Sequence, residues 1–163
     1  MPMTMQVEGL DDLMTRLKKL GDNAGRAAAS GLYEGAGVMA DEIKGAAGKI
    51  RTAPFHYAVF IQREVSPEEK AVVQKGIGIS RFEFTGDGLN TSVGYGRASG
   101  YAMMAGRRKP IPQIANAINS GTSFLKKQPY VREAAVAGSG KATEAIVKKI
   151  EEKINEMTGG TSA

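Results

Sequence analysis

The sequence predicts an α+β domain, an antiparallel β-sheet packed with a long Ala/Gly-rich N-terminal helix and a C-terminal amphipathic helix. Three observations predict it. Residues 22–50 set large apolar side chains at three-to-four spacing among alanines and glycines, which is a helical period. Residues 77–96 alternate about a "GDG" turn signal, as the two arms of a hairpin do. Residues 141–157 return to helical spacing, with lysines and glutamates opposite the apolar stripe. Strands grouped between helices favour an α+β arrangement. A chain of 163 residues supports one hydrophobic core. Residues 1–157 therefore read as a single domain, with 97–110 as an extended loop within it and 158–163 as a flexible C-terminal tail.

The elements follow in order. "LDDLMTRLKKL" aligns Leu10, Leu13, Met14, Leu17 and Leu20 on one helical stripe. Its aspartates fall in the first turn and its lysines in the last, as the helix dipole favours, and Gly21 ends it. In the longer helix, Asp22 can cap the start, and Leu32, Met39, Ile43 and Ile50 supply the large apolar positions. Gly31, Gly35, Gly37 and Gly45 each cost an isolated helix roughly 1 kcal/mol relative to Ala. A partner packed on the small face formed by Gly31, Gly35, Ala36 and Met39 offsets that cost. The partner can be another element of the chain or a neighbouring subunit. "HYAVFIQREV" (56–65) is aromatic and β-branched, hence strand-like. In "SPEEKAVV", Ser66, Pro67 and Glu69 make a capping box opening a short helix. The last helix, from about Lys141 to Met157, buries Ala142, Ala145, Ile146, Ile150, Ile154 and Met157. Gly138 and Gly140 read as a turn separating it from the preceding "YVREAAVA".

Composition narrows the chemistry. Cysteine is absent, which removes disulfides, thiolate catalysis and Cys-based metal sites. "MPMTMQVEGLDDL" has neither a basic nor an apolar leader segment, so no secretory signal is expected. The formal net charge is +5, and the excess falls in residues 101–163, with ten basic against five acidic side chains. Such a bias suits a polyanion, an acidic protein surface or simply solvent. The cations cluster at Arg107, Arg108 and Lys109 and at Lys126 and Lys127, on expected loops where they project freely. Tyr101, Phe124 and Tyr130 are too sparse for a base-stacking platform, and no helix–turn–helix or zinc-finger pattern occurs.

The stretch "AVAGSGKAT" invites comparison with a phosphate-binding loop, which needs G-x-x-x-x-G-K-[ST] between a strand and a helix. Gly140 and Lys141 align, but Ala135 replaces the first glycine and Ala142 the magnesium-binding hydroxyl. "GIGISR" and "GYGRASG" lack dinucleotide-loop spacing. The one histidine, His56, has neither a nucleophile elbow nor spaced metal ligands around it. Adjacent acidic pairs such as Glu68–Glu69 do not converge on a helix. No catalytic, cofactor or metal site is expected.

Two ordered blocks carry a resemblance. "VEGLDDLMTRLKKLGDNAGRAAASGLYEGAGVMADEIKGAA" is similar to the opening of the tail-component or tail-completion family of tailed bacteriophages, the head–tail joining neck proteins. "NSGTSFLKKQPYVREAA" resembles that family's "GTS…QPF…A" block, through Gly121, Thr122, Gln128, Pro129 and Tyr130, then Arg132 and Ala134. The blocks cover about half of the chain, in the family's order. Where the family has a "P-x-R/K-T-G-x-L" stretch, this chain has "KIRTAPFHY" without the glycine, and Asn119–Ser120 replace an acidic residue before "GT". The resemblance implies a structural virion protein without enzymatic activity, located in the tail or neck and in the host cytoplasm during assembly. It implies a homo-oligomeric ring, hexameric as is usual for such proteins, that contacts connector proteins on one side and tail tube or terminator proteins on the other. Arg107–Lys109 and the lysine pair would then face DNA or a partner ring. The alternative is a nonspecific nucleic-acid-binding protein; an enzyme with an unrecognised site is a distant third. Isothermal titration with MgATP is expected to show no binding, and tight magnesium-dependent binding would restore the phosphate-loop reading.

Overall fold

The computed structural model describes residues 3–4, 21, 23–54, 62–85, 88–104 and 106–159. The expected helix over Leu10–Leu20, His56, most of the 56–65 strand and the last residues of the tail lie outside the described residues. The elements are β1 (Met3–Thr4), α1 (Asn23–Gly48), α2 (Pro67–Lys75), β2 (Gly78–Ile79), β3 (Glu83–Thr85), β4 (Gly88–Asn90) and β5 (Ser92–Gly94). A single 3-10 turn (Arg97–Ser99), β6 (Tyr101–Met104), β7 (Arg107–Pro110), α3 (Ile111–Ser120) and α4 (Tyr130–Met157) complete them. The α+β class predicted from sequence is the one observed, in a single domain.

The long helices α1 and α4 pack side by side and antiparallel, and their glycines face each other's backbone. A Cβ built at Gly31 would clash with Ile150 and lie 3.0 Å from the Ile146 carbonyl oxygen. One at Gly35 would clash with Ile146 and lie 3.0 Å from the Ala142 carbonyl oxygen. Farther along, Gly138 of α4 admits Met39, whose Sδ would be 2.9 Å from an added Cβ. Beside it, Lys141 Nζ meets Glu42 Oε1 at 2.6 Å. The small face of Gly31, Gly35, Ala36 and Met39 is thus filled within the chain, so it is not a free subunit-packing surface. This contact also corrects the expected break before the last helix. The helix runs unbroken from Tyr130 to Met157, with Gly138 buried in the pairing face rather than turning the chain.

The core has two parts. Ala36, Met39, Ala40, Ile43, Ala47 and Ile50 of α1 and the segment after it join Val65, Val73, Val93, Ile114, Ile118, Leu125, Tyr130 and Ala142. A smaller cluster, Ala27, Ile146, Ile150 and Ile154, seals the other end of the helix pair, flanked by Leu32 and Met157. The apolar positions predicted for both helices are therefore those that pack, with Ala145 and Met157 at the half-buried margin.

The antiparallel pairing is divided among three small sheets. One is three-stranded in the order β1-β5-β2, and β3–β4 and β6–β7 are two-stranded ribbons. The hairpin expected about "GDG" forms as β3–β4, with Thr85 opposite Gly88. It continues as β2–β5, with Ile79 opposite Val93. Between the two ladders Arg81 and Phe82 oppose the single residue Thr91, so the ribbon carries a bulge. Thr91 is buried there, and its hydroxyl donates to the Ser80 carbonyl at 3.0 Å. Residues 62–65 form no extended ladder. Arg63 and Val65 make isolated parallel bridges to Leu125 and Thr52.

The capping box is present as predicted. The Glu69 amide donates to Ser66 Oγ at 3.1 Å and the Ser66 amide to Glu69 Oε2 at 3.0 Å. The expected loop 97–110 is instead a helical turn followed by the β6–β7 hairpin. Gly100 and Gly106, at φ +79° and +73°, supply the left-handed positions that begin and turn it. Two glycines of α1 now have opposite expectations. Gly35→Val should lose about 1–3 kcal/mol by overpacking against α4. Gly37→Ala should gain up to about 1 kcal/mol, since an added Cβ meets nothing within 4 Å. Urea denaturation of the two variants checks this, and equal midpoints would contradict the packing.

Candidate functional site

Two regions hold the sequence-predicted residues, a joint built from the "GTS…QPY" block and the basic β6–β7 hairpin beside it. The joint begins where α3 ends. Gly121 takes φ +76°, and an added Cβ would lie 2.9 Å from Lys127 Cβ and 3.1 Å from its amide nitrogen. Glycine is needed there for conformation and for space. Thr122 folds the next residues into a tight turn, its hydroxyl accepting from the amides of Phe124 (3.2 Å) and Leu125 (3.0 Å).

Gln128 crosses to the far end of α1. Its Oε1 accepts from the Arg51 amide at 2.8 Å and its Nε2 donates to the Arg51 carbonyl at 3.0 Å. The side-chain amide thus pairs with both backbone groups of Arg51. The Gln128 amide donates in turn to the Ile118 carbonyl at 2.8 Å. Pro129 stands at the α4 N-cap without a capping side chain, and Asn119 substitutes from a distance, Oδ1 accepting from the Val131 amide at 3.3 Å. Tyr130, buried beneath, donates its hydroxyl to Tyr95 at 2.9 Å, and Tyr95 donates to the Val73 carbonyl at 2.8 Å. Burial pushes the Tyr95 phenol up to about 12, against the opposing effect of its Tyr130 hydrogen bond. Burial and the neighbouring Tyr95 push Tyr130 higher still, so both rings stay neutral. Gln128 and Tyr130 therefore tie neighbouring elements together, while Gly121 and the exposed Thr122 shape the turn between α3 and α4.

A charged pair braces the same region. Arg63 grips Glu69 through two 2.7 Å hydrogen bonds. Burial alone would raise the Glu69 carboxyl. The Arg63 bonds and the Ser66 amide outweigh it and hold the carboxyl below its ordinary value. Lys126 is not a free cation. Its Nζ meets Glu64 Oε1 at 2.7 Å, and its amide donates to the Arg63 carbonyl at 3.0 Å. Lys127 is exposed and follows the Gly121 turn.

The three remaining cations occupy β7, on a strand rather than the loop expected for them. Lys109 pairs with Ala102, Arg108 with Met103 and Arg107 with Met104. Side chains alternate across a ribbon, so the triplet is split. Lys109 and Arg107 share the face that holds buried Met104. Arg108 shares the outward face with Tyr101 and Met103, which are 58% and 66% exposed. The Arg108 guanidinium lies 4.1 Å from the centre of the Tyr101 ring, a cation–π contact. Lys109 instead borders a hollow of about 250 Å³ lined by Gln113, Ile114, Phe124, Leu125 and the Arg63–Glu69 pair.

A larger hollow of about 580 Å³ lies over β2 and β5, with Lys75 and Arg97 on its rim. The Ser80 and Ser99 hydroxyls on it are engaged internally. Ser99 donates to the Gly76 carbonyl at 2.6 Å and Ser80 accepts from the Ser92 amide at 2.8 Å. Among the described residues no cluster of His, Asp and Glu could hold a metal ion, and no helix is long and apolar enough to cross a membrane.

Sequence reasoning missed α3 altogether. Its signal was present in the spacing of Ile111, Ile114, Ala115 and Ile118, all buried, with Pro112 in the first turn. It also missed the apolar partners of Arg108, which only strand register brings to one face. Comparison with known proteins finds no matching family model, no matching curated protein and no matching solved structure.

The depressed Glu69 carboxyl makes a pH prediction. A lowered folded value contributes stability above the unfolded one and loses it as pH falls through the folded value. The protein should therefore weaken as pH drops below about 4.5, the ordinary carboxyl value. Glu69→Gln should be less stable at neutral pH and show a shallower loss over that acid range, as thermal melts across pH would report.

Proposed function

We propose that this chain is a structural subunit of a tailed-phage neck or tail terminus, forming a ring that joins the head connector to the tail tube. The observation that carries the reading is the order of its sequence blocks, from "GLDDL" and the Ala-rich helix ending "DEIK" to "GTS…QPY" and the final helix. The fold lends support, because the second block is the joint that binds the first block's long helix to the last one. A rigid helix pair with no assembled catalytic group among the described residues suits a part whose work is to hold neighbours in place. Heterologous contacts that close would make the ring, a hexamer as is usual in the family, and the basic hairpin would reach a neighbouring component. The nucleic-acid alternative draws on the same positive excess, but the split of Arg107, Arg108 and Lys109 between two faces weighs against a continuous phosphate track. Stopping translation of the gene in its phage is expected to leave DNA-filled heads and free tails unjoined in electron micrographs. Normal virions from that mutant would overturn the proposal.

A further inference from the structure

The outward face of the β6–β7 hairpin has the composition of a protein contact. It offers an exposed ring, an exposed thioether and one guanidinium held by that ring. Tyr, Met and Arg are the residue types enriched at interface centres. A polyanion would gain little here. One ring is available and a guanidinium already covers it, while the neighbouring cations point the other way. The hairpin carries no carboxylate, and among the described residues no acidic side chain pairs with Arg107, Arg108 or Lys109. Its complement is therefore an acidic surface with a shallow apolar seat.

The chain displays such a surface on α1. Tyr33, Glu34, Gly37 and Asp41 lie on one stripe at helical spacing. Tyr33 is 56% exposed and is steadied by an edge-on contact with Phe82, 6.0 Å between ring centres. Glu34 and Asp41 are exposed, and seven residues of helix set them about 10 Å apart. Midway, Gly37 presents bare backbone, with open space where a Cβ would stand. Lys44 meets Asp41 only at 4.0 Å with both side chains well exposed, a weak pair.

We propose that the hairpin of one copy docks on the α1 stripe of the next, with Met103 over Gly37, Tyr101 against Tyr33 and Arg108 between Glu34 and Asp41. The inference rests on the ring reading above for its repetition around an axis. Repeated in one direction around that axis, the contact is heterologous and propagates from copy to copy until it closes. A hairpin tip covers less than the roughly 1,200–2,000 Å² of a stable pair. Open dimers are therefore short-lived, and association depends on concentration and on salt.

Sedimentation velocity of the purified full chain, over a concentration series at low and high salt, tests this. Association should rise with concentration and fall with salt. Arg108→Glu should weaken it by roughly 30-fold, as for a hot-spot residue, and Glu34→Arg with Asp41→Arg should do the same. Combining all three substitutions in one chain should restore association, which a merely misfolded variant would not do. Association that ignores Arg108→Glu overturns the hairpin contact and leaves the ring reading standing. A wild-type chain that stays monomeric throughout overturns the contact as well, while the neck role is then decided by the phage mutant alone. If Arg108→Glu instead abolishes a shift of plain duplex DNA without changing sedimentation, the face belongs to a polyanion and the proposal fails.

Discussion

The fold depends on how closely α1 and α4 approach. Gly31 and Gly35 lay bare backbone against the carbonyls of Ile146 and Ala142, and Gly138 returns the arrangement by receiving Met39. A residue with a Cβ at Gly31 or Gly35 would push the helices apart, and the isoleucines that fill the groove would lose their dispersion contacts. The glycines cost helix propensity, and tertiary packing offsets that cost. β2, β4, β5 and α2 lean on α1, β7 leans on α3, and the joint at residues 121–130 leads the chain into α4.

The joint explains why a conspicuous sequence block need not mark a binding site. Gly121, Thr122, Gln128, Pro129 and Tyr130 satisfy backbone groups, cap a helix or anchor a buried phenol. The polar groups of Thr122, Gln128 and Tyr130 find partners within the chain. The exposed residues of the hairpin are unremarkable one by one and share a face only through register.

Much of this was legible in the sequence. Periodicity located α1 and the later half of α4, the Ser66–Glu69 box located α2, and the "GDG" turn located the β3–β4 ribbon. The failures share a physical cause. Gly138 and Gly140 read as a turn because local preference disfavours glycine inside helices, and only the packing of Met39 shows why Gly138 belongs there. The segment 97–110 read as a loop because Gly100, Gly106 and Pro110 punctuate it. Two of these are the positive-φ positions that a tight hairpin needs, and the third ends its second strand. Helix α3 was overlooked for a different reason, since its four-residue apolar stripe is short and lies beside stronger signals. The cation triplet was visible in sequence, but its division between two faces was not, because that follows from pairing with β6.

The Gln128 clamp also bears on the order of assembly within one chain. Its two hydrogen bonds join residues 77 apart, and the bridge from Arg63 to Leu125 spans a similar distance. Closing such loops costs entropy before any contact rewards it. Helical turns in α1 and α4 can form locally and early, but the clamp must wait until the intervening strands and α3 have collapsed. A chain emerging from the ribosome therefore holds α1 without its glycine-face partner until α2, the strands, α3 and α4 itself have been made.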